Sequence, residues 1–365
     1  MVRLESQLAR TVLARNLKVR KGESVLIESW THGLRYVGAL VEETRRLGAD
    51  PLVIYEDEGA WWNDLGAGRT RALGRMSRSE RAALAAADVY VYLWGPEDRP
   101  RADALPQRIQ GATTAFNDSW YRTGRKRGLR GCRLSVAFAT DPLARQLGLD
   151  GARWRRQIAT ASLADAERMR ENGTRLAKRL AKGRELRITS RDGTDVRLGL
   201  AGREPRVEVG LVDRAARRSP YGFLVNAPAG NVMVALDEST AEGTVVSNTP
   251  IVLPPGIAVR SGRWEFAEGR LVSYSYDRSG PKIEALYRAA GAGRDRPGLL
   301  SIGLNPKARK VPQYEEIESG VVLLGTGGNS FLGGVTRLPF QMYALLRGAD
   351  VEIDSVPVVT GGRVA

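Results

Sequence analysis

A chain of 365 residues exceeds what one hydrophobic core usually organises, so two domains are expected; 42% apolar content with 41 glycines and 17 prolines is ordinary globular composition and excludes a fibrous or low-complexity protein. A single cysteine, Cys132, excludes an internal disulfide framework and any cysteine-rich metal site. The formal charge of +15 invites a nucleic-acid reading, but arginine supplies nearly all of the 56 basic residues and is spread along the whole length, so nucleic acid is not the expected partner.

The opening segment, MVRLESQLARTVLARNLKVRKGE, breaks its apolar residues with charges every few positions and lacks the continuous apolar core of a signal peptide. No later stretch reaches the roughly 18 uninterrupted apolar residues of a membrane helix, so a cytoplasmic protein without membrane contact is expected. Leu4, Leu8, Val12 and Leu17 are close to helical spacing, and Lys21 with Gly22 ends that helix before the strand SVLIES. The segment GLRYVGALVEETRRLGA then repeats apolar residues at Leu34, Val37, Leu40 and Val41 and leads into the strand PLVIY, which makes a βαβ unit. Ser77 and Glu80 form a capping box for the helix SERAALAAA, followed by the apolar strand VYVYLW. The basic run YRTGRKRGLRGCR, Tyr121 to Arg133, reads as a solvated loop, with an anion site as its alternative, before a further strand, RLSVAFAT. An open, largely parallel α/β sheet with flanking helices follows for this half.

From Gly151 to Lys182 the pattern is a long charged amphipathic helix or helix pair that connects the halves. After it the period changes to two. Hairpins are expected around Asp192-Gly193, around Glu268-Gly269 and in the closing ADVEIDSVPVVTGGRV. The expected organisation is an α/β domain over 1–184, with the connector at 151–182, and a β-rich α+β domain over 185–365.

Chemically informative residues are sparse. The single histidine, His32, falls in the loop after the first strand, where a ligand or general base of an open sheet is well placed, although a lone histidine in a loop is more often structural. Trp61 and Trp62 either wall an apolar pocket or pack the sheet edge. Basic neighbours would lower the Cys132 pKa, but without a base partner it reads as a buried small apolar residue. The chain has no Walker-type phosphate loop, no nucleophile elbow and no paired-histidine zinc motif.

Four later segments carry a resemblance: NAPAGNVMVALDESTAEGTVV (Asn226 to Val246), IGLNPKAR (Ile302 to Arg309), SGVVLLGTGGNSFLGGVTR (Ser319 to Arg337) and GADVEID near the end. With LGADPLVIY and TSRDGTDVRLGLAGRE earlier, they resemble the aminopeptidase T and AmpS family of metalloaminopeptidases, leucyl aminopeptidase-like enzymes. The resemblance implies a two-metal centre built from two glutamates, two histidines and an aspartate, which would activate water and hold the tetrahedral intermediate. Laid over this sequence, the glutamates fall on Asn231 and Leu299, one histidine on Leu323, and the final His-x-Asp on Gln341 and Tyr343. Leucine cannot coordinate a metal, and neutral amides are weak ligands for a catalytic divalent ion.

The expected site therefore has no metal and no cofactor. Tyr343, Gln341 and Asn231 are the candidate catalytic side chains, and Leu299, Leu323, His32, Trp61 and Trp62 the candidate substrate-binding ones. The leading expectation is a metal-independent enzyme that reuses the scaffold for an amino-acid-like or peptide-like small molecule, in amide chemistry. The alternatives are an inactive pseudo-aminopeptidase subunit pairing with an active relative, and a conventional metalloaminopeptidase under a shifted motif register. A homodimer, or a heterodimer with a paralogue, is what the resemblance implies. Glu242 is expected to have a structural role at a turn.

Overall fold

The apolar runs of the first half assemble as parallel strands, largely buried in the middle of the sheet, as near-continuous hydrophobic strands favour, but exposed at its edge, where Leu52, Val53 and Tyr55 reach solvent. In the computed structural model, which describes residues 3–68, 74–212, 222–253, 257–277 and 280–365, β1 (Ser24–Trp30) lies between β2 (Asp50–Glu56) and β3 (Val89–Leu93), with β4 (Arg130–Leu134) beyond β3 and the strand Leu224–Ala227 beyond β4. Every pair is parallel. The strand order reverses between β1 and β3, so the loops leaving the carboxyl ends of these strands form a topological switch point.

Local signals explain most of these elements. The helix Leu4–Arg10 continues as a wider turn over Thr11–Asn16, and the chain turns at Gly22 with φ +78° before β1. Leu34–Arg46 is the helix of the βαβ unit. Ser77 and Glu80 form the expected reciprocal capping box, at 3.0 and 3.4 Å. Beneath them Leu26, Leu84, Tyr90, Trp120, Leu129 and Phe223 form one buried cluster, each such side chain contributing roughly 1.5–3 kcal/mol.

Two expectations change. The strand expected over RLSVAFAT begins earlier, at Arg130, and ends at Leu134, after which Ser135–Ala137 form a buried 3-10 turn. An apolar run without strict alternation does not distinguish a strand from a buried turn. The basic run Tyr121 to Arg133 is not a loop: it largely closes the helix Gln107–Arg127, with Arg125, Lys126 and Arg127 in its last turn and Gly128 in the left-handed conformation after it. Cations there meet the negative end of the helix dipole. Arg127 pairs with Asp88 and Arg130 with Glu23.

The connector is a helix pair, Gly151–Ser162 and Ala166–Lys182, each started by an aspartate cap, Asp150 and Asp165. Contacts divide the chain into two units, Met1–Ala164 with Gly210–Ala229, and Asp165–Val209 with Gly230–Ala365. The helix Ala166–Lys182, before the expected boundary in sequence, thus packs with the second unit. Gly173 accounts for this close approach: a Cβ there would come within 2.8 Å of Val207 and 2.9 Å of Leu304.

The second unit is a large antiparallel sheet. Its spine is the 17-residue strand Asn231–Ser247, which pairs with Asp195–Leu200, Arg206–Glu208, Gly262–Ala267 and Pro297–Gly303. All three expected hairpins form, the last through Asp354 and Ser355, both at positive φ as a type I′ turn requires. Glu242 accepts a hydrogen bond from the Glu268 amide at 3.1 Å, holding the middle hairpin's turn. Among the described residues no helix is long and apolar enough to cross a membrane.

Candidate functional site

Strand register decides which predicted residues meet. On the adjacent strands Asn231–Ser247, Pro297–Gly303, Val322–Gly327 and Gln341–Leu346, Gly303 stands opposite Asn231, Leu299 opposite both Ala235 and Gly325, Leu323 opposite Leu345, and Gly325 opposite Tyr343. Because side chains alternate along a strand, Asn231, Leu299, Leu323, Gln341 and Tyr343 all fall on one face of the sheet. Leu299 and Leu323 join Ala235, Val321, Leu332 and Leu345 in one buried apolar cluster, and Tyr343 packs against it.

The polar groups on this face divide into oriented and unpartnered ones. Tyr343 Oη donates to Gln341 Oε1, and Gln341 Nε2 donates to the Gly328 carbonyl at 2.5 Å, so both side chains are fixed. Burial, with the Glu316 charge adding to it, holds the Tyr343 hydroxyl up to about 12, so it keeps its proton at neutral pH. By contrast, the Ser301 hydroxyl is buried with no partner, and Asn231 is buried on the same face. Glu315 and Glu316, in a short turn between the second and third of these strands, are pushed up to about 7 by burial.

The other three predicted residues lie in the first unit, around the switch point. His32 is in a 3-10 turn directly after β1, and Trp61 and Trp62 are on the helix Glu58–Gly66 after β2. Trp61 meets Trp30 edge-on, with centroids 5.5 Å apart, and Trp62 at 4.7 Å. The Trp62 indole donates to Glu58 at 3.0 Å, and the Arg101 guanidinium lies 3.9 Å above the Trp62 ring. The two tryptophans thus knit the loops that follow β2 and β3. Cys132 is buried in β4; burial raises its thiol to about 12, overriding the basic neighbours that the sequence reading expected to lower it.

The sequence model of the thermophilic metalloprotease (M29) family matches residues 3–288. The chain belongs to that family. Two solved structures share the fold across both units: wild-type AmpT from Thermus thermophilus, with TM-score 0.71, 17% identity and 99% of each chain covered, and 2,5-dihydroxypyridine dioxygenase from Pseudomonas putida KT2440, with TM-score 0.65, 20% identity, 100% of this chain and 98% of that one covered. No curated protein sequence matches. The family match ends before Leu299, Leu323, Gln341 and Tyr343, whereas the structural matches run through them.

What the glycine-rich stretch of this M29 chain holds is Asn329, a residue the sequence reading did not single out. Fully buried, it donates from Nδ2 to Glu238 at 2.7 Å and to the Gly298 carbonyl at 3.1 Å, and its Oδ1 accepts from the Thr336 amide at 3.0 Å. Glu238 also receives the Arg203 guanidinium, at 2.9 and 2.5 Å, and the Val335 amide at 2.8 Å. Gly334 has to be glycine, since a Cβ there would lie 2.0 Å from the Asn329 side chain. Burial raises the Glu238 pKa, but the Arg203, Val335 and Asn329 hydrogen bonds outweigh it and set the carboxyl at about 2. Glu316 and Ser301 were missed as well. The only signal for Glu316 was an acidic pair between two family motifs, and for Ser301 its even spacing from Leu299.

Proposed function

We propose that this M29-family chain is an enzyme repurposed to act, without the two-metal centre, on an amino-acid-like or peptide-like small molecule, and that the sheet face of the second unit is its site. The observation that carries the reading is the buried, unpartnered Ser301 Oγ on the face where Tyr343 and Gln341 are already oriented and where Asn231 is also buried. The metals implied by the family do not fit this face. The segments Asn231–Ala235, Leu299–Gly303, Val321–Gly327 and Gln341–Leu345 carry no carboxylate, imidazole or thiolate, and both ends of the Gln341 amide are already engaged.

An organic ligand fits better. Leu299 and Leu323 supply an apolar wall, and the Asn231 amide and Ser301 hydroxyl supply donors and acceptors for a backbone-like amide or carboxylate. Because the Tyr343 proton is directed at Gln341, its lone pairs are presented to an N–H of the ligand. Rotation of the hydroxyl turns it into a donor for a carbonyl oxygen, the role of a neutral acid rather than a base. The same scaffold in the Pseudomonas putida protein carries a dioxygenase, which supports its reuse for chemistry other than peptide hydrolysis.

A thermal-shift screen of amino acids, short peptides and amides tests the reading. At least one compound is expected to raise the melting temperature, and Tyr343→Phe is expected to weaken its binding about tenfold, the value of one hydrogen bond of roughly 1.4 kcal/mol. Binding unchanged by that substitution would count against this face as the site.

A further inference from the structure

We infer that His32, Glu58 and Glu97 form a binding site for one divalent transition-metal ion at the switch point of the first unit. This inference is independent of the reading of the sheet face. The three residues lie in or directly beyond the turns that leave β1, β2 and β3, on the carboxyl side of the sheet, where open α/β folds bind their ligands. One ligand atom from each lies within 4.8 Å of the other two.

The hydrogen bonds divide the roles of the two ring nitrogens. His32 Nε2 lies 3.0 Å from the Ala137 carbonyl, which can only accept, so Nε2 carries a proton and Nδ1 is the nitrogen left to take an ion. Nδ1 is buried without a partner; the side chain is 8% exposed, and Nδ1 faces Glu58 Oε2 at 4.0 Å. That distance is too long for a hydrogen bond, so Nδ1 is left unmatched in a buried place beside a carboxylate oxygen. A cation between the two would be coordinated by both. Ligands about 2 Å from a tetrahedral ion stand about 3.3 Å apart, so a modest closure of these side chains completes the geometry.

The surroundings are those of a metal ligand set. A coordinating histidine usually donates its other N–H to a backbone carbonyl, as His32 does to Ala137. Glu58 is held by the Glu97 amide at 2.7 Å, the Asp98 amide at 3.1 Å and the Trp62 indole at 3.0 Å, which leaves lone pairs on Oε2 toward His32. Among the described residues, neither Glu58 nor Glu97 has an arginine or lysine partner, in a chain of net charge +15. One imidazole with two carboxylates suits zinc and its first-row neighbours rather than calcium or magnesium.

Because the chain has one histidine, its imidazole nitrogens give a single-site report. Titration of the full-length protein with zinc chloride, followed by nitrogen-15 NMR of that ring, is expected to shift Nδ1 and leave Nε2 protonated, saturating at one equivalent. Glu97→Gln, at a half-buried position, and His32→Gln are each expected to weaken zinc binding at least tenfold, while Tyr343→Phe leaves it unchanged. An unmoved Nδ1 resonance at one equivalent of zinc, or wild-type affinity in either site variant, would overturn the inference.

Discussion

Asn329→Ala is expected to destabilise the protein by about 3–4 kcal/mol, more than any other single side-chain truncation on the glycine-rich loop. The substitution removes a donor from Glu238, leaves the Gly298 carbonyl and the Thr336 amide without their partner, and does so at a fully buried position. Each buried polar group left unsatisfied costs roughly 1–3 kcal/mol, and relaxation of the loop recovers part of the sum. Urea denaturation reads the effect as a lower midpoint. Asn329→Asp separates hydrogen bonding from size: it preserves the shape and the acceptor to Thr336 but sets a carboxylate against Glu238, so its loss of stability should be relieved by acid. An unfolding free energy for Asn329→Ala within about 1 kcal/mol of wild type would show that the loop does not depend on this hub.

The second large effect is on pH. Glu28, Glu315 and Glu316 are each raised from 4.5 to about 7, chiefly by burial; at Glu28 the hydrogen bond from Tyr90 at 2.7 Å opposes the rise and Glu80 and Glu56 add to it. In this window the folded state binds more protons than the unfolded state, so stability falls as pH rises. The stabilisation is complete below about 4.5 and lost through about 7. A shift of that size amounts to roughly 3 kcal/mol per group, reduced to about 2 kcal/mol for residues that keep some solvent contact. Glu238 runs the other way: its carboxyl at about 2 contributes stability that is complete above 4.5 and lost as pH falls toward 2. Stability should therefore be greatest near pH 5 and decline toward pH 8, and Glu28→Gln should flatten the decline by about a third. A melting temperature rising from pH 5 to pH 8 would contradict this assignment.

The sequence was informative where local chemistry decides structure. The βαβ unit, the Ser77–Glu80 box and the three hairpins follow from periodicity, capping and turn residues that act over a few positions. The helix Gln107–Arg127 was not legible, because its apolar residues are sparse and glycines interrupt it at Gly111 and Gly124, so its amphipathic pattern is weak. The five residues on the sheet face were placed by resemblance, and register explains why they converge: odd-numbered positions on four neighbouring strands share one side. What composes the rest of the site depends on pairs distant in sequence. Glu238 meets Asn329 across 91 residues, and His32 meets Ala137 across 105. No periodicity reports such contacts. The same limit explains Cys132, whose basic sequence neighbours matter less than its burial in β4.

The proposed site is a sheet face that would bind an organic ligand in place of two metals. Its most direct test is metal content of the purified His32→Gln protein by mass spectrometry, with the thermal-shift screen run on the same sample, since this variant removes the first-unit site and leaves the sheet face intact. The expected result is less than a tenth of an equivalent of any divalent metal, together with stabilisation by an amino-acid-like or amide ligand. One or two equivalents of tightly held metal in that variant would contradict the account and return the second unit to metal-dependent hydrolysis.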